Sequence, residues 1–464
     1  MRYVSTRGAA PVLSFEEAML TGLARDGGLY MPETWPRLTE DEIAAFAGQS
    51  YEEVAARVMS PFIGDAFTPD EFRAIIARAY AGFGHAARAP LAQIAPNDWI
   101  LELHHGPTLA FKDFAMQLIG QMFEVALGRR GQRATIIGAT SGDTGSAAIE
   151  AFRGLDAVDV FILYPHGRVS EVQRRQMTTP VEANVHALAV EGDFDDCQAL
   201  IKAMFNDFAF RDALKLAAVN SINWARVLAQ AVYYFTAAVA LGAPRRPVAF
   251  SVPTGNFGDV FAGHVARSMG LPIGQLVIAT NRNDILHRTL LTGRHDKAGV
   301  HPTTSPSMDI EVSSNFERML FELSGRDGAE IAALMAALKN DGGFALRQDI
   351  LAGLRAGFAS GRCDDERAGR IIADILRHTG QVIDTHTAVG LAAAQDNRGD
   401  PATPMVTLGT AHAAKFPDAV QAACGVRPGL PPRMADLYDR TERVTIVPAD
   451  LAAVQAAVRE RVAA

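Results

Sequence analysis

Short apolar, β-branched runs alternating with helix-length segments set the tightest limit on how this chain folds. ATIIGA (134–139), DVFILYP (159–165), NVHALAV (184–190), PVAFSVP (247–253) and QLVIAT (275–280) each suit a buried strand. Each is followed by a polar or glycine-bearing turn and then a helix-length segment, and PMVTLG (404–409) adds a late strand. That order predicts an α/β fold with two doubly wound, mainly parallel domains. A mainly helical region precedes them, because SFEEAM, TEDEIAAF and SYEEVAARV read as acidic helix starts. The expected division is 1–95 for the helical region, 96–245 for the first α/β domain and 246–464 for the second. A charged stretch, about 315–378, reads as helical. The length of 464 residues is ample for this plan.

Charge and cysteine usage exclude several classes. The formal charge of −8 offers no clustered cationic face for phosphate neutralisation, so nucleic acid is not an expected partner. Cys197, Cys363 and Cys424 lie far apart, which gives neither a disulfide framework nor a CxxC metal site. The opening MRYVSTRGAAPVLSFEE lacks the apolar core of a secretory signal. The charge-free stretch Val227 to Pro244 is interrupted by Gln230 and Thr236 and falls short of the ~20 apolar residues of a membrane span. A soluble, cytoplasmic protein is expected, with that stretch as a buried helix.

Three segments carry chemistry. In GATSGDTGSAAIEAF a strand runs into Ser141-Gly142-Asp143-Thr144-Gly145 and a small-residue helix. Glycines let the backbone turn tightly, and hydroxyls and helix-start amides offer donors to an anion. The spacing of Gly138, Gly142 and Gly145 is not GxGxxG, and no GK[ST] follows. In SVPTGNFGDVFAGHVA, Gly255 and Gly258 flank Asn256 and Phe257 at a helix start, a cup of amides suited to phosphate. Asp259 is the awkward member, since a carboxylate repels phosphate unless it caps the helix and faces away. An ordinary strand-to-helix turn accounts for either segment read alone. In LELHHGPTLAFKDFAMQLIG, Lys112 adjoins a buried helical stripe of Phe111, Phe114, Ala115, Leu118, Ile119 and Met122. Desolvation there makes an amine nucleophilic, whereas an isolated lysine more often snorkels to a nearby acid. Together, one buried lysine and two anion cups are what an aldehyde phosphate cofactor requires.

HGPTLAFKDFAMQ, GATSGDTGSAA, NSINWARV, VPTGNFGDV, SMDIEVSSNFERM and LGTAHAAKF follow in this order, behind YVSTRG and GLARDGGLYMPE at the N-terminus. On these motifs the chain resembles the threonine synthase family, of the longer bacterial and fungal kind, within the tryptophan-synthase-β-like pyridoxal 5′-phosphate enzymes. The resemblance covers nearly the whole chain. It implies conversion of O-phospho-L-homoserine and water to L-threonine and phosphate, the last step of threonine biosynthesis. It also implies Lys112 as the catalytic, cofactor-carrying lysine, and Gly255, Asn256, Phe257, Gly258 and Asp259 as the holder of the cofactor phosphate. Thr410 is implied at the pyridine nitrogen. Asp143 stands where a shorter branch of the family has an asparagine facing the ring hydroxyl.

Substrate-pocket candidates are Ser141 and Thr144 for the carboxylate, with Asn223, Arg226, Ser314 and Asn315 for the rest. Arg168, Ser170, Arg318, His386 and Thr387 are further candidates, each open to a structural reading as well. His104, His105, His264 and His412 read as structural or catalytic alike, and no spacing marks a metal site. A monomer or homodimer acting on a small molecule is expected. The rival readings are a dehydratase or phospholyase using the same cofactor and a catalytically silent cofactor-binding protein. A nicotinamide dehydrogenase fails for lack of GxGxxG and its acidic ribose partner.

Overall fold

The computed structural model describes residues 1–140, 142–217 and 221–462. Two sheets carry the fold. The larger has six strands in the order Phe358–Arg362, Ile273–Thr280, Val248–Pro253, Met405–Gly409, Asp98–Glu102 and Leu91–Ala95. Its neighbours are parallel except the last pair, which is antiparallel. The smaller has five parallel strands in the order Thr445–Pro448, Val185–Glu191, Val158–Pro165, Ala134–Ala139 and Leu216–Ala217. All six runs expected as strands are strands. Val158–Pro165 is buried along its whole length, as a strand covered by helices on both faces must be.

The sheets do not divide where the sequence reading placed the boundaries. Asp98–Glu102, expected in the domain 96–245, belongs to the larger sheet, and Thr445–Pro448, expected in 246–464, returns to the edge of the smaller one. Parallel pairing across long crossovers leaves such exchanges open, because local pattern carries no record of which sheet an edge strand joins. A second correction concerns 315–378. Helices Phe316–Leu323, Gly328–Asn340, Gln348–Gly357 and Asp365–Thr379 fill most of it, but Phe358–Arg362 is an edge strand. Its sequence, FASGR, is too short and too polar to show a strand period.

The N-terminal helices begin as their acidic starts require. Ser14, Thr39 and Thr68 each form a reciprocal capping box with the glutamate three residues on, and Ser50 caps Tyr51–Ile63. A small antiparallel pair, Tyr3–Ser5 with Tyr30–Pro32, joins them. This region packs on helix Trp224–Ala240, with the Tyr3 and Trp224 rings 6.1 Å apart. That helix is buried from Trp224 to Phe235, as its charge-free sequence predicts. Each large side chain it removes from water contributes roughly 1.5–3 kcal/mol. Among the described residues, no helix is long and apolar enough to cross a membrane. The result that matters for function is local. Strands Val248–Pro253 and Met405–Gly409 are neighbours that end together, so their following loops meet beside the start of helix Lys112–Arg130.

Candidate active site

Lys112 opens its helix against the loop that follows Met405–Gly409. Ala110 bridges Ala411, the Phe111 N–H donates to the Thr410 carbonyl at 2.9 Å, and the His412 N–H donates to the Leu109 carbonyl at 3.0 Å. Thr410, itself buried, is thereby fixed beside the lysine. The Lys112 ammonium is buried, lies 4.9 Å from the centre of the Phe111 ring and donates to Asp143 Oδ2 at 3.2 Å. Burial lowers its proton affinity; Asp143 opposes that shift, and Lys415 and Arg226 reinforce it, leaving the amine below the ordinary lysine value. An amine that gives up its proton readily is a nucleophile and a base.

Asp143 is the hub. It starts helix Asp143–Phe152 behind Gly142, whose φ of +138° only glycine adopts without strain. Its Oδ2 accepts from Lys112 and from Ser307 Oγ at 2.9 Å. Its Oδ1 accepts from Gln173 Nε2 at 2.9 Å and from Lys415 Nζ at 2.8 Å. Burial alone would raise this carboxyl; the two ammonium groups outweigh it and hold the group well below its usual range. Lys415 and Ser307, which the sequence did not single out, complete the set of groups on Asp143, and both lie inside the quoted motifs LGTAHAAKF and SMDIEVSSNFERM. The Ser307 loop is pinned in turn, because its N–H donates to His386 Nε2 at 3.2 Å. His386 Nδ1 therefore carries the proton and donates to Asp384 at 2.7 Å. Thr387 also donates to Asp384, so both members of the DTHTAVG segment brace the loop.

The second cup follows Val248–Pro253. Phe257 takes a left-handed φ of 62° and leads into helix Gly258–Ser268. The carbonyls are turned outward: Gly255 accepts from Ser313 Oγ at 2.7 Å, and Asn256 accepts from the N–H and Nδ2 of Asn315 at 3.0 and 2.9 Å. Among the described residues, the amides of Gly255 to Asp259 donate to no protein acceptor. Five consecutive free amides at a helix start are a cradle for a phosphate. The approach is also tight, since a Cβ on Gly255 would lie 2.8 Å from the Ser307 carbonyl. These features fit pyridoxal phosphate: a buried amine for the aldehyde, an amide cup for the phosphate and a hydroxyl at Thr410 for the ring nitrogen.

The side chain of Asp259 is turned to two tyrosines. Tyr233 and Tyr234 hydroxyls donate to its Oδ1 at 2.5 and 3.1 Å, while Oδ2 is buried without a partner among the described residues. Burial raises the carboxyl to about 7 against the opposing pull of the tyrosines, Lys112 and Arg226. The unfolded chain releases this proton near ~3.9. At this group the folded state thus holds more protons between about pH 4 and 7, so the contribution of Asp259 to stability falls across that window as pH rises. Asp259→Asn keeps an acceptor for both hydroxyls and is expected to remove that contribution, so its stability relative to wild type is higher at roughly pH 8 than at roughly pH 5. Urea denaturation at roughly pH 5 and roughly pH 8 reads the difference.

The substrate-pocket candidates separate into two groups. Arg226 is buried, forms no ion pair among the described residues, and its Nη1 has no partner. Burial pulls it down to about 10, and an incoming anion would relieve that strain. Thr144 is half-buried on the first turn behind Asp143. By contrast, Asn223 caps helix Trp224–Ala240 and donates to the Met19 carbonyl at 2.8 Å. Asn315 spends its amide on Ser221 and Asn256 and accepts from Arg318, and Ser314 donates to Asn256 Oδ1 at 3.2 Å. Arg318 also reaches the carbonyls of Tyr30 and Ile222. Asn223, Ser314, Asn315 and Arg318 therefore brace the phosphate loop and the N-terminal region. Arg168 is exposed, and Ser170 caps the helix Glu171–Thr178 that delivers Gln173. Ser141 lies outside the described residues.

Burial favours the neutral form of His104, His264 and His412. Burial lowers His104 to about 3, His264 to about 4 and His412 to about 4. The His104 and His412 rings meet edge to face with centroids 5.3 Å apart, and His105 pairs with Glu102 at 2.7 Å. Among the described residues, no group of three metal-ligating side chains converges.

This combination of fold and site defines a class, the pyridoxal-phosphate-dependent enzymes, whose family model matches residues 90–359. Models for the threonine synthase N terminus and the threonine synthase C-terminal region match residues 2–80 and 387–458. The chain belongs to the threonine synthase family. It is 55% identical over 461 residues to a threonine synthase of Pseudomonas aeruginosa, covering 99% of this chain and 98% of that one. A threonine synthase of Saccharomyces cerevisiae is 43% identical over 459 residues, covering 91% and 88%. The crystal structure of a pyridoxal-phosphate-bound threonine synthase from Brucella melitensis superposes with a TM-score of 0.98 at 55% identity, covering 100% of both chains. That from Escherichia coli gives 0.84 at 33% identity, again over 100% of both.

Proposed function

We propose that this chain converts O-phospho-L-homoserine and water to L-threonine and phosphate with pyridoxal phosphate bound at Lys112. One observation carries the reading: a buried, deprotonation-prone lysine lies beside a cup of amides and a buried arginine that have no partner among the described residues. When bound, the cofactor supplies the electron sink that acidifies the substrate's α- and β-carbons. Lys112 would hold the cofactor aldehyde, and its free amine would carry protons among the α-, β- and γ-carbons. The amides of Gly255 to Asp259 hold the cofactor phosphate. Thr410 offers the ring nitrogen a hydroxyl, which does not enforce its protonation as a carboxylate would. Asp143 keeps an ionised acceptor beside Lys112.

The Arg226 guanidinium receives the substrate phosphate, and Ser141 and Thr144 receive its carboxylate, Thr144 from the first turn of helix Asp143–Phe152. Charge-assisted contacts of this kind are worth about 1.5–3 kcal/mol. Arg226→Met is therefore expected to raise KM for O-phospho-L-homoserine about ten- to a hundredfold, with cofactor absorbance retained. Steady-state kinetics with an absorbance scan check this. The protein works in the cytoplasm, as a monomer or homodimer, on a small molecule. Its three free cysteines, two of them buried, suit a reducing compartment. The deciding experiment supplies O-phospho-L-homoserine alone and measures phosphate and threonine. Equal amounts of both support the reading, and an oxoacid product with ammonia would replace it with a dehydratase.

A further inference from the structure

The site contains a second buried lysine. Lys415 is fully buried, closer to Asp143 than Lys112 is, and held from three directions. Its ammonium lies 2.8 Å from Asp143 Oδ1, 2.8 Å from the Thr108 carbonyl and 3.3 Å from Gln176 Oε1. Those partners come from the turn before Lys112, the helix of Gln173 and the start of the Asp143 helix. Its four-carbon stem has no freedom to reach elsewhere, so this cation is a fixture.

The two oxygens of Asp143 are divided between the lysines. Oδ2 serves Lys112 and Ser307, and Oδ1 serves Lys415 and Gln173. A buried carboxylate whose only cation was Lys112 would pull that lysine's proton back, because losing it would strand a bare charge in an apolar interior. With Lys415 in place, Lys112 can become neutral while Asp143 remains paired. We propose that Lys415 is a positioning residue: a permanent counter-ion of Asp143 that keeps the carboxylate ionised and frees Lys112 to surrender its proton. This rests on the assignment of Lys112 as the working amine.

The electrostatic surroundings agree with it. Lys112 is faced by Asp143, Lys415, Arg226 and Asp259, and Asp143 also feels His386. Asp113, whose carboxylate holds Thr108 through its N–H and hydroxyl at 2.8 and 2.6 Å, is the other acid near Lys415. Lys415 thus raises the cationic density at Lys112 and fixes the loop that carries it.

The test is the pH dependence of Lys112 acylation in the full-length chain freed of cofactor, read by peptide mapping with acetic anhydride as the probe. This readout does not depend on the reaction the enzyme performs, so it can fail while the functional reading stands. Lys415→Gln keeps a donor for Asp143 and Thr108 but drops the charge. Its Lys112 midpoint is expected to rise by about one pH unit or more, since like charge is removed and the carboxylate is left to Lys112. Lys415→Arg keeps the charge and is expected to restore most of the wild-type midpoint. Lys415→Met should shift it as Gln does. Thermal melts confirm that the variants compared are folded, and where Met is unstable the contrast between Gln and Arg decides. A Lys112 midpoint unchanged or lowered in folded Lys415→Gln would overturn the proposal.

Discussion

Lys112→Ala is expected to lose the cofactor's absorption band, at roughly 410–420 nm, and to form threonine at least ~10³-fold more slowly. Both losses follow from one atom. On the proposed reading the amine both holds the aldehyde and serves as the base, and it is buried and stripped of part of its proton affinity. Fold stability should fall little, because the substitution removes one of two ammonium groups that share Asp143 and leaves Lys415 to pair with it. A melt close to wild type with a blank visible spectrum is the expected pattern. Retained colour, with turnover near wild type, would assign the chemistry to another side chain.

Asp143→Ala should have the largest effect on stability. It leaves Lys112 and Lys415 buried together with no carboxylate between them. Breaking a buried ion pair from one side typically costs about 3–5 kcal/mol. The pH behaviour distinguishes this from a packing defect. Asp143 has a folded proton affinity depressed below its unfolded value, so its contribution is fully present above about pH 4 and is lost as pH falls through the folded value. The stability gap between wild type and Asp143→Ala should therefore be wide at neutral pH and narrow in acid. Asp143→Asn, which keeps hydrogen bonds but not charge, should fall between them. Urea denaturation across pH measures all three, and a gap that does not change with pH would mean that charge is not what Asp143 contributes.

Local pattern brought out the segments of the candidate site, and the roles of Thr410 and Asp143 came from the family resemblance. The lysine on its apolar stripe, the two glycine turns and the late strand leading to Thr410 all lie within single short segments. They could be read because the chemistry depends on neighbours in sequence: an amide cup needs consecutive residues, and a helix start needs a turn. What escaped was long-range. Lys415 looks like any lysine among small residues, and only folding brings it to Asp143. Ser307 reads as a loop serine, and only the crossing of its loop over Gly255 puts it on the same carboxylate. Asn223 and Asn315 sit in motifs around the site, yet their amides are spent on backbone groups of remote segments, which local spacing cannot foretell. The sheet exchange at Asp98–Glu102 and Thr445–Pro448 has the same origin, since strand neighbours are chosen by packing and not by adjacency.

The central claim is that an aldehyde cofactor is joined to the nitrogen of one particular lysine. Borohydride reduction of the purified, cofactor-loaded protein, followed by proteolysis and mass mapping, tests it directly. A single pyridoxyl-phosphate adduct is expected, on the peptide containing Phe111-Lys112-Asp113. An adduct on Lys415 or any other lysine, or none at all, would contradict the claim.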